Sequence, residues 1–461
     1  MFARRMGGAV LGAPLLGLLD GVALARPAVA EAEAPPLEQH IVPGDRITVD
    51  NGVEVVVPPL YHEVVTARLT TTAGLAAQEE LRLALDDIER GHVVGPSGLL
   101  VTVAYGTPYF RNHLPRLKDG RRFPDYLPVD LGRGVPALVD AVRFPSDPET
   151  TVLEHNDLVV LLRSDVRLHV TAAREQLLAR TKGIFEPTSF RSGFVGAGLP
   201  KRFAIAAGIP GADAIPDEAQ LFLGFTSTQR SALGPTRIAN FESLRGVTDQ
   251  WPDGYFKHGT VMHLSHMFED LEAWYSGRDY LFRVWATFRP GLDPPEGTRT
   301  LPENASVLQT EQEVIAGFAD QGIVGHSASL QPVSRLPAAT VDNRGERYAA
   351  GTSLVQRADF NTLDNPFGWT AHERADGFRP GHAAGLHFVA FTATAGIFER
   401  VRSAMDGRYP NGATIDGGAQ GAALTPRDPE LGFNSILRTT HRQNFLVPPR
   451  ARRAFPLAEL A

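Results

Sequence analysis

The order of elements along this chain predicts an α+β fold of the dimeric α/β-barrel type: two ferredoxin-like units, each an antiparallel sheet with helices packed outside. Three observations carry that prediction. Hydrophobic periods of two and of 3.6 residues run strand, helix, strand, strand, helix through the first half. A related order returns in the second half. Between them, Glu186 to Gln250 is rich in Gly and Pro and reads as a crossover.

Each element has its own signal. Tyr61 to Thr70 (YHEVVTARLT) alternates as a strand, and Ala76 to Glu89 (AAQEELRLALDDIE) repeats apolar residues at helical spacing. Leu99 to Tyr105 (LLVTVAY) and Asn156 to Leu162 (NDLVVLL) are apolar enough for buried strands, and Val166 to about Thr181 is a second helix. In the second half, His258 to Phe268 reads as a strand, Gln312 to Asp320 as a short helix and Leu386 to Thr392 as a strand. Gly396 to Met405 follows as a helix and Asn444 to Pro448 as a last strand. The expected partition is a signal segment at 1–30, a linker and edge segment at 31–60, an N-terminal unit at 61–185, a crossover at 186–255 and a C-terminal unit at 256–461.

Composition narrows the class. The 461 residues are 43% apolar and 21% charged, which suits a globular chain with a sizeable core. A net charge of −7 and the lack of any basic stretch exclude nucleic acid as partner, because phosphates need a cationic face. Arg4-Arg5, an apolar run from Met6 to about Leu24, and Ala28-Val29-Ala30 form a twin-arginine-like signal, so the chain is expected to be exported and to keep no membrane span after cleavage. The chain has no cysteine, which excludes disulfides, iron–sulfur clusters, thiolate-ligated haem and zinc sites of the Cys type.

The residues that point to chemistry lie between Gly325 and Asp364. His326 follows a glycine in Gly-His-Ser-Ala-Ser, and Arg357 comes 357 − 326 = 31 positions later in a stretch that continues Ala358-Asp359-Phe360. A neutral imidazole is a standard axial ligand for haem iron, and a guanidinium across the ring stabilises charge on a bound oxidant. The bland reading of Arg357 is a salt bridge to Asp359, two positions on and on the same strand face. A rival is copper on the His258 to Met267 strand, where His258, Met262 and His266 share one face and His263 and Met267 the other. Gly193 to Gly198 (GFVGAG) lacks the strand-to-helix turn of a dinucleotide loop, and His263-x-x-His266 lacks the glutamate and the spacing of a zinc protease.

Several short stretches, in this order, resemble the dye-decolourising peroxidase superfamily, over most of residues 60–455. They are LLVTVAYG (Leu99 to Gly106), HNDLVVLLRSD (His155 to Asp165), LFLGFTST (Leu221 to Thr228), GTVMHLSHMFEDLEAW (Gly259 to Trp274), GLHFVAF (Gly385 to Phe391) and NFLVPP (Asn444 to Pro449). The chain is most similar to a secreted branch with RxDF and NFLVPP signatures. This resemblance implies one haem b per chain, held by His326 with Phe225 and Arg357 at its pocket, and a peroxidase-type oxidoreductase using hydrogen peroxide and a small organic reductant. It also implies that Arg357 is the distal arginine. The chain departs from the family where its distal acid would fall, in Gly224-Phe225-Thr226-Ser227-Thr228, at Ser227. A serine hydroxyl is no carboxylate base near neutral pH, so Ser227, Asp359 or His266 is expected to handle the proton. The alternatives are a haem-binding or carrier protein without turnover and a cofactor-free scaffold; self-association is left open.

Overall fold

The computed structural model describes residues 35–44, 46–50, 53–130, 132–225, 254–299, 309–341, 345, 347–364, 383–415 and 429–461. The signal segment, positions 226–253 of the crossover and with them Ser227 lie outside these residues.

The first unit runs β1 (Tyr61–Leu69), α1 (Leu75–Glu89), β2 (Leu100–Tyr105), β3 (Leu158–Ser164), α2 (Arg167–Arg180) and β4 (Phe185–Phe194). Its strands pair antiparallel in the order β4-β1-β3-β2, the ferredoxin-like arrangement. Helix α1 buries Ala77, Leu81, Ala84, Leu85 and Ile88, one stripe at helical spacing, against this sheet. Strands β2 and β3 are buried at every position, because helices cover one face and the second sheet covers the other.

After α3 (Leu199–Ala206), the second unit begins at β5 (Thr260–Glu269). Four short helices follow: α4 (Leu271–Ser276), α5 (Tyr280–Thr287), α6 (Glu311–Gln321) and α7 (His326–Ser334). Then come β6 (Phe360–Thr362), β7 (Gly385–Thr392), α8 (Ala395–Met405) and β8 (Leu437–Val447). Strand order is β8-β5-β7-β6, the same topology again. The two sheets meet edge to edge at one registered pair on each side, Asn361 with Phe194 and Leu446 with Tyr105. These seams close an eight-stranded antiparallel barrel, which leaves no long free edge. Val64, Leu161, Met262, Leu264, Phe391 and Phe445 belong to the apolar core at the barrel's centre.

Four corrections to the sequence reading have physical causes. Phe185–Phe194 is the fourth strand of the first unit, not crossover; Glu186, Pro187 and Arg191 hide it, yet Arg191 is buried and paired with Glu154. The segment from Ile47 forms a separate hairpin, Arg46–Asp50 with Val53–Val57, rather than a barrel edge. His326 opens a helix, although the serines that follow it and Pro332 read locally as a polar loop. The last strand begins at Leu437, ahead of the apolar run, because β5 pairs with its polar half too.

Candidate functional site

The helices of the second unit do not seal its sheet. Between the outer faces of β5 and β7 and helices α7 and α8 lies a cavity with about 1560 Å³ of empty space, counting its open mouth. Strand periodicity decides what reaches it: Ser265, Met267 and Glu269 of β5 and Leu386 and Phe388 of β7 line it. Arg402 and Met405 from α8, and His326, Leu330 and Gln331 from α7, form the opposite wall.

His326 is held by its neighbours' backbone. A Cβ on Gly325 would stand 2.6 Å from the Phe288 carbonyl oxygen and from the Arg289 Cα, so only glycine lets α7 start against the end of α5. The Ala328 N–H donates to that same carbonyl at 2.9 Å. The His326 ring rests on Phe433 at 4.6 Å, and its Nδ1 is buried with no hydrogen-bond partner. The ring lines the cavity. Burial, then the positive charges of Arg357 and Arg402, push its pKa down to about 3, so the imidazole is neutral and its lone pair free. Such a ring is ready to ligate a transition metal.

Arg357 reaches the same cavity from the stretch that leads into β6; its backbone pairs with Ala390 of β7. Asp359 lines the cavity beside it, its Oδ2 3.9 Å from Arg357 Nη1 and its Oδ1 buried without a hydrogen bond. Burial raises the Asp359 pKa and Arg357 partly offsets the rise. Arg335, also at the wall, is lowered to about 10 by burial and by Arg357. The floor is an ion cluster spanning both units: Asp147, from the first, accepts from Arg442 at 2.5 Å and lies 3.3 Å from Arg402, which also pairs with Asp406 at 2.7 Å.

The family's sequence profile, described as a family of unknown function, DUF7405, matches residues 59–449. The chain belongs to DUF7405. No curated protein matches. Among solved structures, a variant of DypB from Rhodococcus jostii RHA1 in complex with haem is similar at 12% identity and a TM-score of 0.47, over 88% of this chain and 97% of that one. DtpA from Streptomyces lividans is 18% identical with a TM-score of 0.49, over 85% and 90%. A dye-decolorizing protein from V. cholerae is 11% identical with a TM-score of 0.45, over 86% and 96%.

In this DUF7405 chain, His326, Arg357, Asp359 and Phe225 come together at one cavity although they span 134 positions, 225 to 359. Phe225 packs on Phe288 at 5.6 Å and Tyr280 at 5.9 Å. Its segment is stitched to the seam by Asn361, which accepts from the Phe222 N–H at 2.9 Å and donates to Gln220 at 3.0 Å. His266 does not join them. It points into the barrel, bonded to Thr440 at 2.6 Å and 4.9 Å from the His387 ring, while its neighbours Ser265 and Met267 take the cavity face.

The copper donors also part company. His263 lies on the opposite strand face from His266, bonded to Asn444 and Ser265 and stacked on Phe398 at 3.5 Å, and His258 pairs with Glu38 ahead of the strand. Among the described residues no three His, Asp or Glu side chains gather as a metal site. None of their helices is long and apolar enough to cross a membrane. Sequence reasoning missed Glu269, Arg335 and the Asp147 cluster. Only Glu269 carried a signal, being in phase with Ser265 and Met267.

Proposed function

We propose that the protein is an exported, haem-dependent oxidoreductase that consumes a peroxide to oxidise an organic substrate. One observation carries the reading: a neutral imidazole, His326, with a buried nitrogen lacking any partner, lines a cavity that a guanidinium, Arg357, also enters. That donor set fits a single-histidine haem site, and the Leu386, Phe388 and Phe398 side chains offer the apolar walls a flat macrocycle needs. A bound haem would supply the iron that reduces a peroxide and passes the oxidising equivalents to the substrate.

The chain's own residues do the rest. His326 would hold the metal through a ring-nitrogen lone pair and, being neutral, would need no deprotonation to do so. Arg357, permanently charged, stabilises negative charge growing on a peroxide oxygen. Asp359, 3.9 Å from Arg357, holds that guanidinium at the cavity wall. Phe225 and Phe388 help to exclude water. A second reading, haem binding without turnover, is favoured by the lack of any carboxyl in Gly224 to Thr228.

Absorbance of protein reconstituted with haemin tests the ligand. A Soret band is expected for the natural chain and its loss in His326→Ala; a band of unchanged position and intensity in that variant would sink the assignment. Normal haem content with no peroxide-dependent dye oxidation would select the second reading.

A further inference from the structure

Three carboxyls among the described residues line the cavity: Asp147, Asp359 and Glu269. Two stand next to guanidinium groups. Asp147 is bound by Arg442 and Arg402, and Asp359 lies 3.9 Å from Arg357. Glu269 is different: fully buried in the wall, it makes no ion pair, and its Oε2 has no hydrogen-bond partner.

Its place in the fold is specific. Glu269 ends β5, anchored by its N–H to the Ala384 carbonyl at 3.0 Å, and α4 begins two residues later. Helix α4 holds the segment that carries Phe225: Tyr275 donates to the Phe222 carbonyl at 2.6 Å and Trp274 to the Leu223 carbonyl at 3.0 Å. Through α4, Glu269 is thus tied to the segment that leads into Gly224 and Phe225, and the sequence from Gly224 to Thr228 has no carboxyl of its own.

We infer that Glu269 is the proton-exchanging group of this cavity, taking the proton of a small protic molecule bound there. The identity of that molecule as a hydroperoxide rests on the reading above; the exchange itself does not. The O–H bond of the bound molecule breaks, its proton moves to a Glu269 carboxylate oxygen, and the electron pair stays on the molecule's oxygen. Asp359, close to Arg357, is left to hold that guanidinium in place.

The electrostatics fit. Burial alone raises Glu269 to about 8, which poises it between its two forms near the pH at which enzymes work. The groups around it do not reverse this: Tyr275 from α4 is neutral, its own pKa pushed up by burial, and Arg283 stacks on the Tyr275 ring at 4.8 Å. The adjacent Asp270 lies 4.0 Å from Arg438 of β8.

Two measurements on the full chain decide it. Infrared titration should show a protonated carboxyl stretch at neutral pH that disappears with a midpoint of about 8, is absent in Glu269→Gln and returns, shifted, in Glu269→Asp. A band unaltered by Glu269→Gln, or a midpoint in the ordinary glutamate range, overturns the inference. With haemin bound, hydrogen cyanide must lose its proton to ligate iron. Its association should slow about tenfold or more in Glu269→Gln, with the Soret band unmoved and the alkaline break in the pH profile gone. An unchanged rate overturns the role. If the natural chain shows no Soret band the haem reading fails, and the infrared titration still decides the state of Glu269.

Discussion

The two ferredoxin-like units share one topology and differ in what fills the space between sheet and helices. In the first, α1 and α2, of 15 and 14 residues, lay Leu81, Leu85, Ile88 and Leu177 on Val101, Val103, Val160 and Leu162. In the second, four helices of 6, 8, 11 and 9 residues precede β6, and His326, Arg335, Arg357, Asp359 and Glu269 surround open space. A continuous amphipathic helix seals its sheet; a broken one leaves a vault that polar groups can line. The breaks are local: Gly277 closes α4, and Gly322, with φ of 70°, ends α6. Stability should therefore reside in apolar packing in the first unit and in buried charge pairing under the cavity.

The sharpest way to break that contrast is Asp147→Asn. It would leave Arg442 and Arg402 buried at the cavity floor with a shared counterion gone, and losing one partner of a buried pair costs about 3–5 kcal/mol. Equilibrium denaturation should show a loss of that size; a change within about 0.5 kcal/mol would mean that the cluster does not brace the floor. Leu81→Ala, in the sealed core, should destabilise by about 2–5 kcal/mol, whereas Leu330→Ala, at a wall already facing open space, should cost about 1 kcal/mol or less. Equal losses at the two leucines would abolish the distinction between a filled unit and a hollow one.

How far this contrast could be read in advance follows from the residues. Strands β2, β3 and β7 announce themselves because both faces are covered, so their runs are apolar or nearly so. Strand β4 hides because its Arg191 is neutralised inside the protein by Glu154, a pairing distant in sequence. Helix α7 hides because Ser327, Ser329 and Pro332 spell a loop locally; contact with Phe288 and Tyr409 folds it. At the site, short motifs bring out His326, Arg357, Asp359 and Phe225. Period-2 counting separates His263 from His266, but it does not tell which face is barrel interior and which is cavity; only closure of the barrel decides that, and it turns His266 inward.

The smallest effect sharpens the comparison through pH. Glu269 belongs to the hollow unit, and its pKa is raised from 4.5 to about 8 by burial. Between those values the folded chain keeps a proton that the unfolded chain has lost. Its stabilising contribution is therefore complete below the unfolded value and is lost as pH rises through the folded one, at up to about 1.4 kcal/mol per pH unit. Buried His62, His263, His266, His326 and His387 act in the other direction: their folded pKa values are depressed below 6.5, so they lower stability as pH falls through the ordinary histidine range. Subtracting the Glu269→Gln stability profile from that of the natural chain removes the histidine contribution, which both share. The difference should slope downward by about 1 kcal/mol between about pH 6 and about pH 7 and level off at higher pH. A flat difference would show that the Glu269 carboxyl is solvated in the folded chain, and the vault would then be wet enough to ionise an acid without a partner.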